Sequence, residues 1–190
     1  LFTPLLSLLL EERGVSSSII GGLAMMAPIG VIVGSWLSPL MVQRFQTKAL
    51  LLFCFFIEFV LIYLLMVTES LLAWYALRFI GGFFGAVIFI VCETWINEIA
   101  PDASRGKVMG GYNTLLTLSF AFGPLILSIS GIQGNAPFIA GMAMMGISVL
   151  PIFFLQETQQ KEAEEVGFSV LGFMRVAPLL AMSVFIVAFI

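Results

Sequence analysis

Long apolar stretches alternate with short polar ones along nearly the whole chain. Leu1–Leu10 is apolar from its first residue, and Ser17–Met41, Ala49–Val67, Leu71–Cys92, Val108–Gly131 and Ala136–Leu155 follow. A last apolar run starts at Val176 and continues to Ile190. A helix of about 20 mostly apolar residues crosses the hydrocarbon of a bilayer, so the pattern predicts five full membrane helices with a partial one on either side. Most connections are only a few residues long, which makes consecutive helices antiparallel neighbours. The connection 93–107 is expected to be partly helical, and only 156–175 is long, polar and acidic. Residues 1–155 therefore read as a six-helix all-α membrane bundle with a shortened first helix. Residues 156–175 read as a linker and 176–190 as the start of a seventh helix. Both ends read as cuts through membrane helices, as in a piece of a longer protein.

Composition points the same way. Apolar residues make up 61% of the 190 and charged ones 10%, where a soluble domain has about half and about a quarter. One core of this size cannot hide that excess, so lipid is the expected surroundings. The net charge of −3 and the lack of any basic patch argue against a nucleic-acid partner. With no histidine, the commonest metal ligand and proton shuttle is missing. Cys54 and Cys92 lie inside apolar runs and read as packing residues. No nucleophile stands at a workable spacing from a base, so neither an enzyme nor a cofactor is expected.

The cations set an orientation. Arg44, Lys48, Arg105, Lys107, Lys161 and Arg175 all fall in the second, fourth and sixth connections, while the odd-numbered ones hold only Arg13. The positive-inside rule then places the even-numbered connections and the linker in the cytoplasm. A weak internal echo accompanies this. Gly21, Gly22, Gly30 and Gly34 in the second helix correspond, 89 residues on, to Gly110, Gly111, Ser119 and Gly123 in the fifth. An offset of three helices predicts two units of inverted topology.

Few charges remain inside the spans. Arg78 sits roughly 10 Å below the outer boundary at about 1.5 Å per residue. A central arginine costs about 2.5–3.5 kcal/mol on insertion scales and each apolar neighbour returns about 0.3–0.6 kcal/mol, so the fourth helix tolerates it. Arg78 either snorkels to the headgroups or faces a water-filled cavity; Gly81, Gly82 and Gly85, typical of close helix packing, favour the second. Helical spacing puts Arg78, Gly82, Ala86, Phe89, Glu93 and Asn97 on one stripe, with Glu93 about 22 Å from Arg78 along the axis, too far to pair. Glu58, halfway along the third helix, is expected to be neutral or paired. Gly30 and Gly34 read as packing positions, and Pro28 and Pro124 as places where a helix can bend. Thr114 and Thr117 are expected to bond back to their own helix, and Trp74 and Tyr75 to join an outer aromatic belt.

At four places the chain resembles the major facilitator superfamily, specifically its amino-terminal half. Glu98 and the following IAPDASRG are similar to the acid-x-x-Pro-x-x-x-Arg-Gly pattern of the fourth-to-fifth connection. Arg78 with Phe79, Ile80, Gly81 and Gly82 is similar to the motif opening the fourth helix. Gly110, Ser119, Gly123 and Pro124 follow the fifth-helix motif of antiporters, with a serine in place of one glycine. The acidic linker looks like the central loop joining two halves. The connection between the second and third helices departs from the family pattern: Gln43, Arg44, Gln46 and Lys48 keep the cations but lack the aspartate and both glycines. Within the family, 76–124 looks most like the bacterial YcaD-like branch.

The resemblance implies a six-helix half with a three-plus-three inverted repeat, in a bacterial inner membrane, and a carboxy-terminal half as partner beside lipid. It implies alternating-access transport of a small organic solute, with protons as coupling ion and export favoured by the antiporter-like fifth helix. Sugar-porter-like uptake and a non-transporting scaffold or receptor are the alternatives. Arg78, Phe89, Tyr112 and Asn113 become candidates for the cavity, Asn113 because it matches a substrate-contacting glutamine of sugar porters. Glu58 and Glu93 become coupling candidates, although the third helix of this family usually lies away from the cavity. Arg44, Lys48, Glu93, Asn97, Glu98 and Arg105 become a cytoplasmic gate held by ion pairs, with Glu98 and Arg105 as the central pair. Gly30, Gly34, Gly81, Gly82, Gly85, Gly110, Gly123 and Pro124 become helix-packing positions.

Overall fold

The computed structural model describes residues 2–131 and 134–153, with the side-chain surroundings of 99, 121–123, 126, 129–130 and 151 left aside. The expected linker and seventh helix, 156–175 and 176–190, lie outside the described residues. Six helices follow one another: α1 (Phe2–Glu12), α2 (Ser17–Arg44), α3 (Thr47–Val67), α4 (Leu71–Ile99), α5 (Arg105–Ser130) and α6 (Ala136–Phe153). By length and composition α2, α3 and α4 can each cross a membrane, and α6 carries a shorter apolar stretch, Ala136–Leu150. The chain is an all-α, multi-pass membrane bundle.

Turn chemistry sets the boundaries. Gly14 adopts φ 69° between α1 and α2, a conformation open to glycine at little cost. Gly131 ends α5 with φ 73° and donates its N–H to the Leu127 carbonyl, the usual role of a glycine just past a helix. Arg44 occupies the last turn of α2, where a cation suits the helix dipole. The fourth helix runs on to Ile99, so Glu93, Asn97 and Glu98 belong to its last two turns.

The closest packing joins α2 to α4, which run parallel. A Cβ on Gly30 would collide with the Phe79 carbonyl oxygen, and one on Gly82 with that of Ala27. One on Gly34 would stand 2.5 Å from the Phe83 oxygen. Small residues let the backbones touch, and dispersion supplies the attraction that hydrophobic exclusion cannot supply in lipid. Gly81 and Gly85 turn elsewhere: a Cβ on them would meet the Glu58 carboxylate at 3.6 and 3.7 Å. The glycines of α4 therefore serve two neighbours, α2 on one side and α3 on the other. At Gly110 a Cβ would meet nothing within 4 Å, and the surroundings of Gly123 lie outside the described residues. Of the echo pairs whose two members are both described, Gly30 and Ser119 share the buried state.

On α3 the buried residues are Leu50, Leu51, Cys54, Phe55, Glu58, Leu61, Ile62 and Leu65, a single stripe with one acid in it. Cys54 and Cys92 are both buried free thiols. At one end of the bundle, Lys48 Nζ donates to the Phe153 carbonyl at 3.3 Å, joining the start of α3 to the end of α6. At the other end, Trp74 Nε1 donates to the Thr68 carbonyl at 2.6 Å, and the Arg13 guanidinium lies 5.5 Å from its ring centroid. The Tyr75 hydroxyl donates to the Ile19 carbonyl at 2.7 Å. Trp74 is buried and Tyr75 half-buried, so both hold helices together rather than forming the expected lipid-facing belt. Thr114 and Thr117 donate to the Gly110 and Asn113 carbonyls, as expected from the sequence.

Candidate functional site

Helices α1 to α6 all contribute to a cavity of about 930 Å³. Its walls are mostly apolar, with Ile32 from α2, Leu61 from α3, Phe89 from α4, Phe120 from α5 and Met145 from α6 among them. Among the described residues, two ionisable side chains line it, Arg78 and Glu58. Arg78, Gly82, Ala86 and Phe89 of the predicted α4 stripe all reach this cavity, because residues three and four apart share a helix face. Glu93 and Asn97, farther along the stripe, lie beyond it, where the Asn97 Nδ2 donates to the Glu93 carbonyl at 3.1 Å.

The Arg78 guanidinium donates to the Thr3 hydroxyl of α1, which turns it toward the bundle interior and away from the snorkelling pose. The Glu58 carboxylate lines the same cavity, without an ion pair to Arg78 among the described residues. Glu58 is only 5% exposed, its carboxylate pressed against the glycine face of α4 at Gly81 and Gly85. Oε1 has no hydrogen-bond partner among the described residues. In an apolar wall an isolated charge is costly, so a guanidinium and a carboxylate facing one cavity each offset the cost of the other. Glu58 thus stands at the cavity wall and not on the outer surface of the bundle. A carboxylate pointed at lipid has no counter-charge, whereas this rotation of α3 gives it one.

Helix α5 contributes Leu116, Phe120 and Pro124 to the lining. Tyr112 is on the same stripe one turn earlier, past the end of the cavity, and is buried, its hydroxyl without a partner among the described residues. Asn113 is turned about 100° further round the helix and is exposed. Neither is among the described residues that line the cavity. Thr3 had no mark in the sequence, being one of two hydroxyl residues, with Ser7, in an apolar opening run; only the fold brings it to Arg78.

The expected gate residues are spread along one end of the bundle. Arg105 forms its ion pair with Asp102 at 2.7 Å and donates to the Ala100 carbonyl at 3.5 Å; among the described residues it does not pair with Glu98. The three-residue turn before α5 puts Asp102 and Arg105 side by side, while Glu98 points out from the last turn of α4. Arg44 and Glu98 are exposed, and Lys48 is held by the end of α6.

A family model for the Major Facilitator Superfamily matches residues 1–190. An uncharacterized MFS-type transporter of Bacillus subtilis (strain 168), YfkF, is 25% identical over 153 residues, covering 80% of this chain and 39% of that protein. An uncharacterized MFS-type transporter of Yersinia pestis (strain Pestoides F) is 25% identical over 108 residues, covering 56% of this chain and 28% of the relative. The chain thus spans about two-fifths or less of the curated relatives it matches. No solved structure gives a significant match. A bundle of apolar helices packed through glycines, a family match over its full length and these transporter relatives agree: the chain belongs to the Major Facilitator Superfamily.

Proposed function

We propose that this chain is the amino-terminal half of a secondary transporter that moves a small organic solute by alternating access. In this reading residues 1–155 form the bundle, 156–175 a cytoplasmic linker and 176–190 the start of the second half, all in a bacterial inner membrane. The observation that carries it is the cavity of about 930 Å³ with Arg78 and Glu58 in an otherwise apolar wall. Ionisable residues at membrane depth usually mark substrate or ion pathways, and a cavity between about 300 and 1,000 Å³ suits a small-molecule ligand.

The residues divide by position. Arg78 and Phe89 belong to the solute cavity, with Thr3 holding the guanidinium in place. Glu58 is the better coupling candidate, since it shares the cavity with Arg78, while Glu93 lies near the inner end. Arg44, Lys48, Asn97, Glu98 and Arg105 form the cytoplasmic gate, and Asp102 joins them as the partner of Arg105. Coupling to protons and export are the direction this reading favours. Proteoliposomes containing the full-length protein test it. A pH gradient should drive solute movement that an Arg78→Gln substitution reduces at least about tenfold, in line with losing a charge-assisted contact. Movement unaffected by both the gradient and the substitution would refute the coupled-transport reading.

A further inference from the structure

The two charges of the cavity are not equally available to a ligand. Glu58 is 5% exposed and shielded by Gly81 and Gly85, whereas Arg78 is half-buried and open to the cavity. A guanidinium has five N–H donors in a fixed fork. Among the described residues, the hydrogen bond of Arg78 goes to the Thr3 hydroxyl, which leaves most of those donors unspent. The surrounding wall is apolar, with Phe89 and Phe120 among its aromatic members. A ligand that satisfies this cavity carries one anionic group for the fork and an apolar body for the wall.

We propose that the cavity binds a small organic anion, with Arg78 gripping a carboxylate or an equivalent planar anion while Glu58 acts as a built-in competitor for the same guanidinium. The inference takes the cavity as the solute site of the transport reading and names its substrate class. Planar anions match the guanidinium fork in two parallel hydrogen bonds. Without Glu58, Arg78 would have no counter-charge among the described residues of this apolar wall when the site is empty. With Glu58 in the same wall, the arriving anion takes over part of the role of the carboxylate. Such an exchange keeps binding reversible, as a carrier requires, and makes Glu58 a positioning residue that sets affinity through Arg78.

Calorimetric titration of the full-length protein in detergent tests this with three probes of one shape: naphthalene-2-carboxylate, 2-naphthylmethylamine and 2-naphthalenemethanol. The carboxylate should bind at least about tenfold tighter than the amine and the alcohol. Arg78→Gln should erase that preference, Arg78→Lys should keep part of it, and Glu58→Gln should strengthen carboxylate binding several-fold. Thermal unfolding and elution volume check that each variant is folded. If Arg78→Gln does not fold, the Lys and Glu58→Gln variants decide the matter. Equal binding of all three probes, tighter binding of the amine, no measurable binding, or weaker carboxylate binding in Glu58→Gln would each overturn the proposal. If the binding pattern holds but proteoliposomes move no solute, the anion site stands and the transport reading falls. If proteoliposomes move a cation or neutral solute without this pattern, only the anion proposal falls.

Discussion

Replacing Gly82 by alanine would place a methyl group on the Ala27 carbonyl, and replacing Gly30 would place one on that of Phe79. In both cases the obstacle is backbone, which cannot rotate away as a side chain can, so α2 and α4 must separate. Overpacking of this kind costs about 1–3 kcal/mol. Thermal unfolding in detergent should show Gly30→Ala and Gly82→Ala clearly destabilised. Gly110→Ala, with open space around the new methyl, should be neutral or stabilised by up to about 1 kcal/mol through helix propensity. Equal losses at all three positions would mean that the α2–α4 contact is not the tight one. The sequence already marked these glycines as packing positions, because small residues recur where membrane helices touch. It could not assign partners. Gly81 and Gly82 are adjacent in sequence, yet about 100° of helical rotation sends one to α3 and the other to α2.

A whole helix carries the same ambiguity in a stronger form. Apolar residues surround α3 on every side, so its hydrophobic pattern does not say which face turns inward, and packing alone selects the stripe that contains Glu58. One signal was present: a lone mid-membrane acid should face the interior, where a counter-charge can meet it. The usual peripheral place of this helix in the family pointed the other way. At the junction of α4 and α5 the limit was different. Glu98 and Arg105 are seven residues apart and looked like partners, but the turn between α4 and α5 hands Arg105 to Asp102. That pair is 47% and 90% exposed, and exposed pairs contribute about 0–1 kcal/mol at most. Asp102→Asn should therefore shift stability by less than about 0.5 kcal/mol. Trp74→Phe is the contrasting case at the opposite end. It takes the indole donor from the Thr68 carbonyl and leaves a smaller, weaker π face under Arg13, so a loss of about 1–3 kcal/mol is expected in the same unfolding assay.

For the molecule as a whole, the arrangement of charge and the arrangement of helices can be tested against each other. The parallel contact of α2 with α4 puts Arg44 and the end of α4 on one side of the bundle, and the Lys48–Phe153 contact puts the end of α6 there too. Arg105 and Lys107 follow directly at the start of α5, so these cations gather at one end. Arg13 lies at the other, against Trp74. The positive-inside rule predicts that the first end is cytoplasmic, an orientation in which the membrane potential favours keeping those cations inside by about 2.3 kcal/mol per charge per 100 mV. Single cysteines at the exposed positions Gln46 and Glu69 read the two ends separately. Cys54 and Cys92 are buried and should add little background. In intact cells an impermeant maleimide should label Glu69→Cys and leave Gln46→Cys untouched until the membrane is opened. Labelling of Gln46→Cys alone would invert the bundle. The apolar cavity would then keep its walls, but Arg78 would approach the cytoplasmic boundary and the cations would face outward. Equal labelling of both positions would break the alternation of spans on which the six-helix reading depends, since Thr47–Val67 alone separates the two positions.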